Sequence, residues 1–207
     1  KKNTVQISLP EGYYKGGKVV ESFCRRLWNN QVWNKLIKKE LITRNNIFFA
    51  EGLTLEDELF SLQIALNANA LYVLKKPTYN YYIRQGSIIR TAGRNLGRWL
   101  TFSSINRLMS DYIVNHGFNR NPFVARYFLE NVIVNLSQIH RLKKLEYPIF
   151  RDITSLYYYN LITLYKQGYL SIKELIAYYY LNLAGKLGYS YFKLINFLFS
   201  VSKRIKK

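Results

Sequence analysis

The chain has 207 residues, of which 49% are hydrophobic, and a formal net charge of +19. This length and apolar content exclude a disordered tail and allow one domain or two small ones. The single cysteine, Cys24, excludes an internal disulfide, and His116 and His140 are too far apart in sequence to indicate a zinc or haem site. A reducing compartment is expected, and no metal site is predicted within the chain.

The positive charge predicts a polyanionic partner, which could be nucleic acid, anionic lipid or the phosphates of an activated substrate. Lys, Asn, Ile and Tyr all have AT-rich codons, so a biased genome could equally account for part of the lysine count. No uncharged run approaches the roughly 20 apolar residues that span a bilayer. The chain begins with Lys1 and its single methionine is Met109, and from this we expect a piece of a longer protein.

Short helical and extended patterns alternate in the first half of the chain. Val-, Tyr- and Leu-rich runs on either side of Pro77 are typical of two short strands and a turn. This half is predicted to be α/β. The predicted elements are a helix over residues 18–29, an extended run over 32–37, a helix over 54–70, and strands over 71–75 and 79–84.

Four of the 12 acidic residues gather within residues 51–60. Thr54, three residues before Asp57, can cap a helix there, and the free N–H groups of a first helical turn favour negative charge. The cluster therefore predicts either a well-capped helix start or a carboxylate that acts as a general base.

The helix predicted over residues 54–70 has one apolar face. Its leucines recur at spacings of three and four residues, which places them on a single stripe directed into a core. Asp57 lies off that stripe and is predicted to face a cleft or solvent. The leucines are Leu55, Leu59, Leu62 and Leu66.

Beyond residues 91–94 the pattern is helical throughout, with turn signals at intervals typical of a small bundle. The predicted fold is α+β and predominantly α, with an α/β part over residues 1–93 and a helical domain over 94–207. Tyrosine triplets at 157–159 and 178–180 are expected to be packing surface. The turn signals are Gly117, Asn121-Pro122, Tyr147-Pro148, and Gly168 with Ser171-x-x-Glu174.

Residues 189–207 combine bulky apolar side chains with a basic end. Such a helix could lie on an anionic membrane surface. It could equally be the last core helix of the bundle, followed by a solvated lysine tail.

Three segments carry a resemblance, in this order: Trp33-Asn34-Lys35-Leu36 within residues 32–42, Glu-Gly-x-x-x-Glu-Asp within residues 48–60, and Arg-x-Gly-Ser within residues 79–88. Together they resemble the C-terminal part of the catalytic domain in family 2 inverting glycosyltransferases of the GT-A type. The resemblance covers about residues 17–91 and leaves the helical half unmatched.

The resemblance implies a role for each matched residue. Asp57 would take the proton from an acceptor hydroxyl as it attacks the anomeric carbon of a nucleotide sugar, with Glu56 as its acidic partner. The acceptor would be flanked by Trp33, Asn34 and Lys35. The donor diphosphate would be bound by Arg84, Gln85, Ser87 and Arg90. On the residues alone, the last set also fits a strand-end turn with two solvated arginines, and Trp33 also fits a core position.

The chain departs from the family in two places. It contains no Asp-x-Asp motif, which in the family holds a divalent metal and the donor diphosphate. The piece is therefore expected to be inactive alone, and Mg²⁺ or Mn²⁺ is expected only for the full-length enzyme. Asn95-x-x-Arg98-Trp99 only partly matches the Gln-x-x-Arg-Trp of processive members, and it is interpreted as the opening of a helix.

The resemblance predicts that the full-length protein is bacterial and cytoplasmic, and that it transfers a sugar, with inversion, to a growing surface polysaccharide or lipid-linked glycan. Contact with the inner face of the membrane would use the basic C-terminus. The alternative is a non-enzymatic basic helical module that binds nucleic acid or an anionic membrane, with the acidic cluster as a helix cap. Nucleic acid is not expected, because the basic residues are scattered from Lys1 to Lys207.

Overall fold

The computed structural model describes residues 7–80, 82 and 96–136, together with the single positions 166, 168, 172, 175, 176, 179, 190 and 194. The described structure is mixed α+β and mostly helical, which confirms the predicted fold class. Its helices and strands are β1 (Gly12–Lys15), α1 (Gly17–Cys24), α2 (Lys39–Arg44), α3 (Glu56–Asn67), β2 (Ala70–Val73), α4 (Leu96–Asn115) and α5 (Pro122–Leu136). Short 3₁₀ helices lie at Val32–Asn34 and Phe118–Arg120.

The sheet pairs two strands that are far apart in sequence. β1 and β2 run antiparallel, with Tyr13 opposite Tyr72. β2 overlaps the strand predicted over residues 71–75. The strand predicted over residues 79–84 is wrong at 79, 80 and 82, which have no regular structure, and its other positions lie outside the described residues. A local sequence pattern could not find β1, because the pairing depends on contacts formed over the intervening helices.

Two helices begin or end differently from the prediction. α1 is shorter than the predicted 18–29, because the chain turns at Arg26, whose φ is 58°. α3 begins at Glu56 after Leu55, which takes a left-handed conformation with φ 67°, and the Leu55 carbonyl accepts a bond of 3.1 Å from the Glu58 N–H. Within the described part of the chain no side chain caps this helix. The predicted Thr54 cap is therefore wrong.

The centre of α3 is buried on nearly all sides. Leu59, Leu62 and Leu66 are buried as the stripe predicts, but Ser61 and Gln63 are each 0% exposed as well. Other elements therefore cover more than one face of the helix. This burial fixes the position of its first turn, where the acidic residues lie.

The predicted end of α4 and the predicted start of α5 are confirmed. Gly117 takes a left-handed conformation with φ 72° after α4, as expected of a glycine that terminates a helix. The Asn121 side-chain oxygen accepts hydrogen bonds from the N–H groups of Phe123 and Val124, at 3.0 and 3.3 Å, and Pro122 is the first residue of α5. The interpretation of residues 95–99 as a helix opening agrees with the start of α4 at Leu96.

One hydrophobic core extends from the first half of the chain into α4 and α5. Phe23 of α1, Leu62 of α3, Ile105 of α4 and Phe128 of α5 belong to the same buried cluster. Two polar contacts cross the same boundary: the Asn67 amide donates to the Tyr112 hydroxyl at 2.7 Å, and the Arg26 guanidinium donates to Asn131 at 2.6 Å. The division into domains at residues 93 and 94 stays a prediction.

The later helical segments, most of the tyrosine triplets and most of residues 189–207 lie outside the described residues. Of the single positions described there, 166, 172, 175, 176, 179, 190 and 194 are helical. No helix in the described part of the chain has the length and apolar character needed to cross a membrane.

Candidate functional site

The first turn of α3 presents Glu56, Asp57 and Glu58 next to one another. Asp57 is only partly buried, although the helix becomes fully buried one turn later at Ser61. A carboxylate at the edge of a fixed helix can be reached by another molecule while its backbone stays in place. Asp57 is therefore a candidate general base.

The segment over residues 29–37 lies along α3 and is fixed to it. The Ser61 hydroxyl, one turn after Asp57, donates to the Asn30 carbonyl at 2.6 Å. Val32 and Ile37 pack against the small core cluster that contains Phe60 and Ile64 of α3. These contacts place the segment beside the acidic turn.

Lys35 closes the 29–35 loop on itself. Its ammonium donates to the Asn29 carbonyl at 2.6 Å, to the Gln31 carbonyl, and to the side-chain oxygen of Asn34 at 2.9 Å. It also lies 5.5 Å from the centre of the Trp28 ring, within the range of a cation–π contact. Three oxygens of the loop therefore meet one positive charge, as the three N–H groups of an ammonium allow.

Burial and charge together raise the pKa of Asp57 above its usual value. Burial is the main cause, and the neighbouring Glu56 carboxylate adds to it. The backbone N–H groups of Asp57 and Glu58 act in the opposite direction, and so does the positive charge of Lys35. The result is a carboxylate more basic than an ordinary aspartate, which suits it to accept a proton from a hydroxyl.

Burial also lowers the pKa of Lys35, to about 8, and the negative charge of Asp57 opposes that change. Each of the two charges therefore shifts the pKa of the other group. They form no direct salt bridge in the part of the chain that the structure describes. The lysine thus acts on Asp57 through its charge.

An aromatic pair borders the loop. Trp33 stacks on Tyr79 with ring centroids 4.6 Å apart and an angle of 29° between the planes. Trp33 is partly buried and Tyr79 is 53% exposed. Trp33 belongs to neither of the two core clusters formed by the described residues, and both interpretations of it stay predictions.

The structure brings together the predicted residues of the acidic turn and the 32–42 segment. Asp57 and Lys35 interact through their charges, and Trp33 and Asn34 belong to the loop that Lys35 closes. The predicted diphosphate-binding residues all lie outside the described residues: Arg84, Gln85, Ser87 and Arg90. The roles of all these residues stay predictions.

Sequence reasoning missed two residues that shape the site. Ser61 anchors the loop, and a signal was present, since a serine four residues after Asp57 in an apolar run lies on the same helical face. Tyr79, which stacks on Trp33, lies 46 positions later in the chain. No local pattern predicts such a contact.

The described residues offer little for metal or thiol chemistry. Among them, no group of three His, Cys, Asp or Glu side chains is arranged to hold a metal ion. Burial raises the pKa of the Cys24 thiol to about 12, which leaves it protonated and unreactive at neutral pH.

Part of the chain is similar to a known glycosyltransferase. An uncharacterized glycosyltransferase of Escherichia coli (strain K12), YibD, is 28% identical over 87 residues, which are 41% of this chain and 25% of that protein. The chain thus spans about a quarter of the length of the relative it matches. No family model and no solved structure matches the chain.

Proposed function

We propose that this chain carries the acceptor-activating part of an inverting glycosyltransferase of family 2 and GT-A type. The observation that carries the proposal is the partly buried Asp57, whose pKa is raised and which lies on a rigid helix start beside the fixed 29–35 loop. The similarity to a glycosyltransferase favours sugar transfer over other reactions that need a carboxylate base.

In the proposed reaction Asp57 accepts the proton of an acceptor hydroxyl as the oxygen attacks the anomeric carbon of a nucleotide sugar. The bond to the diphosphate breaks as the new glycosidic bond forms, so a single in-line displacement inverts the configuration. Glu56 keeps the Asp57 carboxylate basic through its neighbouring negative charge. Trp33, with Tyr79 behind it, offers an aromatic face to the acceptor sugar.

The proposal extends to groups beyond the described residues. Arg84, Gln85, Ser87 and Arg90 would bind the diphosphate, whose developing negative charge they would stabilise. The nucleotide-binding half and its Mg²⁺ or Mn²⁺ would be contributed by the longer protein of which we propose this chain is a part. The acceptor would be a bacterial surface polysaccharide or a lipid-linked glycan at the inner face of the membrane.

The test uses the protein that contains this chain. It would be incubated with a panel of nucleoside diphosphate sugars and glycan acceptors, and the released nucleoside diphosphate and the product would be measured. The proposal predicts one donor that is consumed only when acceptor is present. It also predicts that proton NMR shows the opposite anomeric configuration in the product. Retention of configuration would contradict it, as would turnover of every donor without an acceptor.

A further inference from the structure

Lys35 occupies an unusual position for a lysine near a surface loop. It is only partly exposed, and its ammonium donates three hydrogen bonds to oxygens of residues 29, 31 and 34. A neutral side chain of the same length would leave these loop oxygens without their shared donor. The shape of the loop therefore depends on the Lys35 ammonium as a hydrogen-bond donor.

The same loop is fixed to the helix that carries Asp57. The Ser61 hydroxyl holds Asn30, and Phe60 and Ile64 pack against residues on both sides of Lys35. Asp57 and Ser61 are four residues apart on α3 and so lie on one face of it. The positive charge is thus fixed at a constant place relative to the Asp57 carboxylate.

In the part of the chain that the structure describes, the charges that act on Asp57 come from two elements. From α3 itself, Glu56 opposes the ionisation of Asp57, while the N–H groups of Asp57 and Glu58 favour it. From the loop, Lys35 favours it. The Glu58 carboxylate acts on Tyr127 of α5. Among the described residues, Lys35 is thus the positive side chain that opposes the effect of Glu56 on this carboxylate.

We propose that Lys35 is a positioning residue for Asp57, because it closes the 29–35 loop, which is fixed to α3, and so holds a positive charge at a constant place near the Asp57 carboxylate, where it favours the ionised form. The proposal rests on the proposed function, and it deepens the role of a residue that the resemblance places on the acceptor side. In this role Lys35 needs no contact with the substrate.

The direct test needs no substrate. The chain has three aspartates, Asp57, Asp111 and Asp152, so ¹³C labelling of aspartate carboxyls gives few NMR signals, and Asp57→Asn assigns the one of interest. We expect Lys35→Met to raise the pKa of Asp57 above its wild-type value. Lys35→Arg should keep it near that value, because the charge stays in place. An Asp57 titration that is the same in Lys35→Met and wild type would overturn the proposal.

A matched control accounts for the loss of one positive charge, and a reciprocal measurement replaces the test if Lys35→Met does not fold. Lys38, three residues further along, is exposed. Lys38→Met also removes one positive charge, but from an exposed side chain that does not close the loop, so it should leave the Asp57 titration unchanged. If Lys35→Met does not fold, Asp57→Asn provides the second measurement, because coupling between two groups is reciprocal. In that variant the pKa of Lys35 should fall below its value of about 8. An unchanged Lys35 pKa would contradict the coupling.

Kinetics separate positioning from acceptor binding. In the sugar-transferring protein, Lys35→Met should shift the acidic limb of the kcat–pH profile to higher pH, because the pKa of Asp57 rises, and Lys35→Arg should return that limb toward its wild-type position. A raised acceptor KM with unchanged kcat would overturn the positioning role. If the carboxyl titrations behave as expected but Asp57→Asn retains full transfer, the coupling of the two groups stands and the proposed function fails.

Discussion

At the scale of single residues, the ionised Asp57 lowers the stability of the fold. Its pKa is raised in the folded chain from an ordinary value of 3.8. Between pH 3.8 and the folded pKa, the folded protein therefore binds more protons than the unfolded chain. Stability falls as the pH rises through this window, and the loss persists above it. Such a cost in stability is expected of Asp57 if it is the base that we propose.

Asp57→Asn should therefore stabilise the chain at neutral pH. The neutral amide has nearly the same shape and removes the buried negative charge, and we expect the Tm at pH 7 to rise by up to about 2 °C, because solvent screens a partly exposed group. The gain should shrink as the pH falls and disappear below pH 3.8, where the wild-type carboxyl is protonated in both states. Calorimetry at several pH values measures this difference.

Asp111→Asn is the control for that experiment. Asp111 is exposed on α4, so its replacement changes the net charge equally without altering the acidic turn. It shows how much of any change in Tm comes from the loss of one negative charge alone. A lower Tm for Asp57→Asn at pH 7 would show that ionised Asp57 is held by favourable contacts and would contradict the electrostatic description of the site.

The sequence could single out Asp57 but could not reveal the state of Lys35. An acidic group in a basic chain stands out in the composition, and the resemblance gave it a role. The surroundings of the Lys35 ammonium are two backbone carbonyls, one side-chain amide oxygen and an aromatic ring. Backbone oxygens are the same at every position, so no residue pattern indicates where three acceptors will meet. Only the folded loop shows it.

At the scale of elements, the starts of α3 and α5 differ in how they are capped. The first turn of α5 has a side-chain cap, since Asn121 accepts two N–H bonds there. The first turn of α3 follows a left-handed Leu55 and has no side-chain cap among the described residues. Thr54 lies three residues before Asp57, which is the spacing of a capping residue. That spacing does not fix the backbone conformation of Leu55, which lies between them and is left-handed.

Paired alanine substitutions test this difference. Asn121→Ala should cost about 1 kcal/mol of unfolding free energy, the usual value of a side-chain cap. Thr54→Ala should change it by less than about 0.5 kcal/mol, as for a surface position without a defined contact. Urea denaturation of both variants measures the two changes. A loss for Thr54→Ala as large as that for Asn121→Ala would restore the cap predicted from the sequence.

Elements with strong local signals were predicted best. The end of α4 follows from Gly117 and the start of α5 from Asn121-Pro122, because at both places the residues themselves set the backbone conformation. β1 was missed, because its four residues gain their partner only when β2 comes to lie beside them. α3 was predicted as a helix, but its burial on several sides depends on elements that are distant in sequence.

At the scale of the whole molecule, α4 and α5 are packed against the elements that carry the candidate site. Ile105, Met109 and Phe128 share the core of α1 and α3, and Tyr112 receives a hydrogen bond from Asn67 at the end of α3. A helix that must present Asp57 at a constant place gains from this support. The first two helices of the predicted accessory domain thus support α3, which agrees with a bracing role.

The central claim is that Asp57 is the base of a sugar transfer, and the transfer rate of Asp57→Asn in the protein that contains this chain tests it most directly. Asp111→Asn serves as the control, and donor binding is measured on the same samples. We expect transfer to fall by about a thousandfold, with donor affinity changed by less than about threefold. Transfer by Asp57→Asn at a rate close to that of Asp111→Asn would contradict the claim.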